Sequence, residues 1–187
     1  MIHILGISGS LRQGSFNTAV LRAAQGLVGA EVKLEIATLH GIPLYDADLE
    51  SQQGLPQAVT ELKARIYASD GVLLATPEYN NGIPGVFKNA IDWLSRPPED
   101  IAKVFGQRPY AVLGASPGNF GTILSQGAWL PVLRTLRAPL WSTGRLLIPR
   151  AGSIFDESGQ LIDETVRKNL GNFVQGFAAH IADVKKR

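Results

Sequence analysis

Three short segments hold the side chains best suited to chemistry. The first, Ser8-Gly9-Ser10-Leu11-Arg12-Gln13-Gly14-Ser15-Phe16-Asn17-Thr18, lies between an apolar run and a helical pattern. Glycines let a backbone approach a ligand, and a helix N-terminus presents unpaired N–H groups and the positive end of its dipole. Ser10, Ser15, Asn17 and Thr18 add neutral donors, and Arg12 adds one permanent charge. That set suits a terminal phosphate monoester. Helix capping by Ser15 alone would explain a single hydroxyl and would leave Arg12 on the surface.

The second segment, Thr76-Pro77-Glu78-Tyr79-Asn80-Asn81-Gly82-Ile83-Pro84, joins a flat aromatic, two amides, a carboxylate and prolines that limit motion. Such a loop can lie along a planar heterocycle. The third, Ala115-Ser116-Pro117-Gly118-Asn119-Phe120-Gly121, can approach the other edge of that ring through its glycines and Ser116. A phosphate at one end and a heterocycle at the other, with no side chain suited to nucleophilic attack, point to a bound redox cofactor such as a flavin. The cofactor then carries the electrons, and the protein supplies position and electrostatics.

Competing chemistries fail on specific residues. Gly9 and Gly14 have the spacing of a P-loop, but Ser15-Phe16 stands where Lys-Ser/Thr is required. Gly6-Ile7-Ser8-Gly9-Ser10 lacks the closing glycine of a G-x-S-x-G elbow. No G-x-G-x-x-G follows the first apolar run. His3, His40 and His180 fall in a strand, a loop and the last helix, where structural roles are expected. Glu78 is the one carboxylate in the three segments, so paired-carboxylate catalysis has no second partner. No metal-ligand constellation is read.

The elements that must position these loops follow from hydrophobic period. Ile2–Ile7 reads as a buried strand, Phe16, Val20, Ala24 and Leu27 as a helical stripe capped by Ser15, and Val32–Ile36 as an alternating strand. The stretch Thr38–Gly54 has turn chemistry around Pro43 and Asp46. A helix fits Pro56–Ser69, a strand Val72–Ala75, a helical stripe Phe87, Ala90, Ile91 and Leu94, and a strand Tyr110–Gly114. The helix expected after Gly121 must kink or end at Pro131, which has no N–H to donate. A fifth strand falls within Leu140–Ile148, and Val166, Leu170, Phe173, Val174, Phe177 and Ile181 mark the strongest helix. This alternation predicts an α/β fold, a parallel sheet with helices on both faces. In such sheets the ligand sits beyond the carboxyl ends of the strands, where all three loops fall.

Length and composition agree. A chain of 187 residues with 45% hydrophobic side chains and no cysteine supports one domain, residues 1–187, without a disulfide framework. With no long apolar run and no leader-like N-terminus, a cytoplasmic protein is expected. The net charge of +2 gives no general case for nucleic acid, but Lys103, Arg108, Arg134, Arg137, Arg145 and Arg150 lie in an acid-free stretch, residues 101–155. That stretch could attract an anionic ligand or be scattered over the surface. The tail Lys185-Lys186-Arg187 reads as a frayed, solvated end.

Gly9-Ser10-Leu11-Arg12-x-x-Ser15-Phe16-Asn17 and Pro77-Glu78-Tyr79-Asn80, followed by Gly85-x-x-Lys88-Asn89-Ala90-Ile91-Asp92-Trp93, resemble the NADPH-dependent FMN reductase family, with its bacterial quinone and chromate reductases as the nearest group. The resemblance implies a flavodoxin-like, doubly wound five-stranded parallel sheet of order 2-1-3-4-5. It implies noncovalent FMN, NADPH or NADH as electron donor, and a homodimer or homotetramer. Carried over, Ser10, Arg12, Ser15, Phe16 and Asn17 would hold the FMN phosphate. Pro77, Glu78, Tyr79 and Asn80 would border the isoalloxazine, and Ser116 and Gly118 would approach its far edge. Lys88, Asn89, Asp92 and Trp93 match positions that support the loop and subunit contacts. The implied reaction is hydride transfer to flavin, then reduction of a quinone, flavin, azo or metal-oxyanion acceptor. The alternative is a flavodoxin-like electron carrier or accessory protein. The family pattern is lost after Gly121, where Gln126-Gly127-Ala128-Trp129-Leu130-Pro131 stands and Trp129 is expected at a subunit interface or in the acceptor pocket.

Overall fold

The computed structural model describes residues 1–186. Five parallel strands, β1 (Ile2–Ser8), β2 (Val32–Ala37), β3 (Gly71–Ala75), β4 (Tyr110–Ala115) and β5 (Leu146–Ile148), form one sheet of order β2-β1-β3-β4-β5. The register brings Ile7 beside Leu74 and Leu74 beside Val112, so β1, β3 and β4 end at nearly the same level. The helices are α1 (Phe16–Gln25), α2 (Ala47–Gln53), α3 (Gln57–Tyr67), α4 (Gly85–Leu94), α5 (Ile123–Thr135) and α6 (Glu164–Lys185). Among the described residues no helix is long and apolar enough to cross a membrane.

Side chains alternate along each buried strand and feed two cores. Ile4, Leu73, Ala111 and Leu113 pack with Val20 and Leu21 of α1 and Phe173, Phe177 and Ile181 of α6. Leu5, Ile7, Val72 and Leu74 pack on the other face with Val59, Leu62, Phe87, Ile91, Trp129 and Leu133 from α3, α4 and α5. A period of two in the strands thus meets a period near 3.6 in the helices, giving the doubly wound arrangement.

Three details differ from the sequence reading. Residues 38–54 contain α2, which has no fully buried residue and sets only Leu49 against a core, so it shows no apolar stripe. Its signals are the caps: Asp46 accepts the Asp48 N–H at 2.8 Å, and Gly54 follows the last turn at φ +73°. Of the two outcomes expected at Pro131, a kink or an end, the end does not occur, because Pro131 lies inside α5. Buried Trp129 and Leu133 pin the helix on either side of the proline, so packing outweighs the lost hydrogen bond. At the C-terminus, Lys185 is the last residue of α6 and its Nζ reaches Asp70 Oδ1 at 2.6 Å, so it is anchored there. Arg187 lies outside the described residues.

Candidate functional site

The ends of β1, β3 and β4 enclose a cleft of about 340 Å³, within the size range of small-ligand sites. Ser10, Arg12, Ser15, Phe16, Asn17, Pro77, Glu78, Tyr79 and Ser116 line it, joined by Ala115 and Pro117. Asn80 and Gly118, which were also predicted for the site, do not. Sequence reasoning marked the Ala115–Gly121 loop but passed over Ala115 and Pro117, which carry no polar group to draw notice.

The first loop is built around two requirements. Gly9 donates its N–H to Ala75 O at 2.9 Å. A Cβ there would fall 2.1 Å from Phe87 Cδ1 and 2.9 Å from Pro77 Cδ, so only glycine lets this loop lie against the second one. Ser15 then caps α1, its Oγ accepting the Thr18 N–H at 3.3 Å. The hydroxyl proton of Ser15 stays free, as do first-turn N–H groups that no helical carbonyl can reach. The first turn of α1 carries no acid. Ser10 Oγ accepts the Arg12 N–H at 3.2 Å and lies 3.3 Å from the Tyr79 hydroxyl. The exposed Arg12 guanidinium donates to Gly14 O and rests 5.1 Å from the Phe16 ring centroid.

Asn17 has a different task from the one its type suggested. Its Nδ2 donates to Ala115 O at 2.9 Å and its Oδ1 accepts the Ala115 N–H at 3.0 Å. The buried amide therefore copies a strand's pairing and fastens α1 to the end of β4.

In the second loop, Tyr79 and Gly82 exchange both backbone hydrogen bonds, at 3.2 and 3.0 Å. Between them Asn80 (φ +49°) and Asn81 (φ +62°) are left-handed, which is a tight two-residue turn that asparagine tolerates better than other side-chain-bearing residues. Asn80 thus serves the backbone of the loop. Glu78 Oε2 accepts the N–H groups of Leu124 and Ser125 at 2.8 and 3.0 Å, capping α5, whose own N-cap residue Thr122 makes no side-chain cap. Beneath them the Thr76 hydroxyl donates to Pro77 O at 3.0 Å and accepts from Trp129 Nε1 at 3.0 Å and Ser125 Oγ at 2.8 Å. All its capacity is used.

Trp129 is accordingly a core residue, fully buried and edge-on to Phe87 at 4.9 Å, and faces neither an acceptor pocket nor an interface. Asn89 and Trp93 support the loop before α2: Asn89 Oδ1 accepts the Tyr45 N–H at 2.8 Å, and Asn89 Nδ2 and Trp93 Nε1 both donate to Pro43 O. Lys88 and Asp92 pair along α4 at 2.6 Å.

The third loop is held from within and from behind. Ser116 Oγ donates to Gly121 O, Ser116 N donates to Ile148 O at 3.1 Å, and Gly118 O accepts the Arg150 N–H at 2.9 Å. Gly121 is left-handed at φ +63°, and a Cβ there would meet Ile148 N at 3.0 Å. The basic stretch does not gather here. Arg108 is buried and donates to Ile66 O, Lys103 lies over the Tyr67 ring at 4.2 Å, and Arg145 borders a separate cavity beside Trp141. Arg150 alone meets the third loop, through its backbone.

His3 and His40 bond to neighbouring groups, Glu35 and Ala68 O for the first and Thr38 and Leu11 O for the second, while His180 stacks on Trp141.

The donor set fits FMN. One end of the cleft offers hydroxyls, helix N–H groups and an arginine, and Glu78, the one carboxylate among the described residues that line it, accepts two N–H groups of α5. The other offers the flat surfaces of Pro77, Tyr79 and Pro117. A doubly wound sheet with such a cleft beyond its strand ends defines a flavodoxin-like protein for a phosphorylated planar cofactor.

Comparison with known proteins agrees. The sequence profile of the NADPH-dependent FMN reductase family matches residues 2–153, and the chain belongs to that family. It is 45% identical to an NAD(P)H-dependent FMN reductase of Pseudomonas aeruginosa over 93% of this chain and 92% of that one. It is 35% identical to a 2-hydroxy-1,4-benzoquinone reductase of a Burkholderia species, over 97% of both. Among solved structures, FerB, a flavoenzyme NAD(P)H:(acceptor) oxidoreductase from Paracoccus denitrificans, superposes with a TM-score of 0.82 at 32% identity, covering 98% of each chain.

Proposed function

We propose that this chain binds FMN in the three-loop cleft and uses it to move electrons from NADPH or NADH to a quinone-type acceptor, with free flavins, azo compounds and metal oxyanions as further candidates. The observation that carries this reading is the convergence, in one cleft, of the loop residues Ser10 and Arg12 and the acid-free N-terminus of α1, capped by Ser15, with the flat wall of Pro77, Tyr79 and Pro117. The names of the relatives point the same way.

When bound, FMN supplies a ring that accepts a hydride and passes electrons on. The protein's part is placement. Ser10, Ser15, Arg12 and the first N–H groups of α1 hold the phosphate by charge-assisted hydrogen bonds. Asn17 keeps α1 and the third loop in register, and its own contribution to the anion is its backbone N–H. Glu78 fixes the second loop by capping α5, and the Asn80-Asn81 turn presents Tyr79 at the rim, half exposed. Ser116 closes the third loop on itself, which would leave the loop's backbone groups to meet the edge of a bound ring. No side chain here needs to act as nucleophile or general base.

The sheet and its two flanking cores draw on residues from Ile2 to Ile181, which supports a single FMN-binding domain over residues 1–187. Phe120 and Leu124, 77% and 50% exposed next to the cleft, support a homodimer or homotetramer. The cytoplasm, which supplies NAD(P)H, is the proposed compartment.

The test is anaerobic. Protein loaded with FMN and freed of excess receives NADPH, then NADH, while the flavin absorbance is followed. Rapid bleaching, restored on adding a quinone, is expected. Flavin that binds and stays oxidised would favour an electron carrier instead, and failure to bind FMN would overturn the site.

A further inference from the structure

After β5 the chain crosses the N-terminal end of α1 before entering α6. Arg150 N donates to Gly118 O and Ala151 N donates to Ser116 O at 3.0 Å, so this crossing starts tied to the third loop. It then makes a small turn: Phe155 bridges to Leu161, and the Asp156 carboxylate accepts the N–H groups of Ser158 and Gln160, both at 2.9 Å. From this turn the Phe155 ring lies nearly parallel to that of Phe16, with centroids 6.3 Å apart and planes 12° apart. Gly152 lies beside the same ring, where a Cβ would stand at ordinary contact distance, 3.9 Å, from Phe16 Cζ. Phe16 is also the ring over which the Arg12 guanidinium rests.

Arg12 forms no ion pair among the described residues, and its only other side-chain contact of note is the Gly14 carbonyl. An exposed arginine samples many rotamers, and a ligand that captures it must offset that lost freedom. The Phe16 face reduces the loss, but only while the ring itself is held. Phe16 is the first residue of α1 and only half-buried, so the helix alone does not hold it.

We propose that Phe155 is a positioning residue for the phosphate end of the cofactor: it holds the Phe16 ring, which in turn holds the Arg12 guanidinium over the first loop. This rests on the phosphate reading of that loop. Phe155 lies just beyond the residues matched by the family profile, 2–153.

The test compares FMN with riboflavin, which has the ring but no phosphate. Apoprotein is titrated with each, and Kd is read from flavin fluorescence for wild type, F155L, F155Y, R12A and R12A/F155L, with thermal melting as the fold control. F155L should weaken FMN about three- to tenfold, the size of a lost cation–π contact, and leave riboflavin unchanged. F155Y, which keeps the ring, should bind FMN as wild type does. R12A/F155L should bind FMN no more weakly than R12A, because the two residues act in series. Equal losses for both ligands, no loss for either, or full additivity with R12A would overturn the role of Phe155. A wild type that binds FMN and riboflavin alike would instead overturn the phosphate reading itself.

Discussion

Glu78 and Leu124 are joined across the mouth of the cleft: the Glu78 carboxylate accepts the Leu124 N–H at 2.8 Å and, with the same oxygen, the Ser125 N–H at 3.0 Å. A loop at the end of β3 therefore caps a helix that begins after β4. This makes the second loop and α5 one mechanical unit, and it holds the Glu78 carboxylate against the N-terminus of α5.

Glu78→Ala should cost about 1–2 kcal/mol of stability, the usual value of a lost N-terminal cap with its favourable dipole interaction. Glu78→Gln, which keeps an acceptor oxygen, should lose less. Urea unfolding of the three proteins checks the order. An alanine variant as stable as wild type would show that the cap contributes nothing in solution.

Arg12→Ala should weaken FMN retention by about 1.5–3 kcal/mol, the value of a charge-assisted hydrogen bond, while melting stays at the wild-type temperature because the side chain is exposed. The wild-type affinity should also fall as salt rises, and the variant's should fall less steeply. Titration at two ionic strengths measures both effects. An unchanged FMN affinity would remove Arg12 from the phosphate site.

Asn80→Gly and Asn81→Gly should fold with stability close to wild type, since glycine accepts the left-handed geometry found at φ +49° and +62°. Asn80→Val should lose about 1–3 kcal/mol because a β-branched residue is strained there. If the valine variant melts like wild type, the turn must adopt another geometry in solution.

Acid should destabilise the fold through the opposite, N-terminal edge of the sheet. Burial works against ionisation of Glu35 and Asp70, but other partners outweigh it. Hydrogen bonds and charge from Arg65 and His3 hold the Glu35 carboxyl below its ordinary 4.5. Lys185 and the His3 backbone N–H hold Asp70 below 3.8. A depressed folded-state value means the stabilisation is complete above those ordinary values and is lost as pH falls through the lower folded ones. Stability measured by denaturant between pH 7 and pH 3 should stay level and then drop at the acid end. Glu35→Gln should start lower and drop less; an identical acid slope in that variant would count against the ion pair.

Much of this was legible in the chain because it depends on local rules. Strands that read as apolar runs, such as Ile2–Ser8 and Gly71–Ala75, are buried on both faces, and burial demands that composition wherever it occurs. The cap at Ser15 and the glycine-bearing ends of β1, β3 and β4 are short-range features, and the strand–helix alternation dictates that these ends meet on one side of the sheet. Elements without an apolar face were not legible in that way. α2 sets only Leu49 against a core, and the continuation of α5 through Pro131 depends on where Trp129 and Leu133 find partners.

For the site, the sequence by itself determined which three loops gather, although it also pointed to Asn80 and Gly118, which do not line the cleft, and passed over Ala115 and Pro117, which do. Only the tertiary structure decided what each does there. Asn17, Glu78 and Ser116 are polar types that suit a ligand and line the cleft, yet their side chains also bond to Ala115, α5 and Gly121, and Trp129 bonds to Thr76. The reason is physical. A side chain's hydrogen-bonding capacity is set by its type, but the partner that uses it is set by distance in space, across separations of 98 residues for Asn17 and 46 for Glu78. Such separations carry no signal in a single sequence.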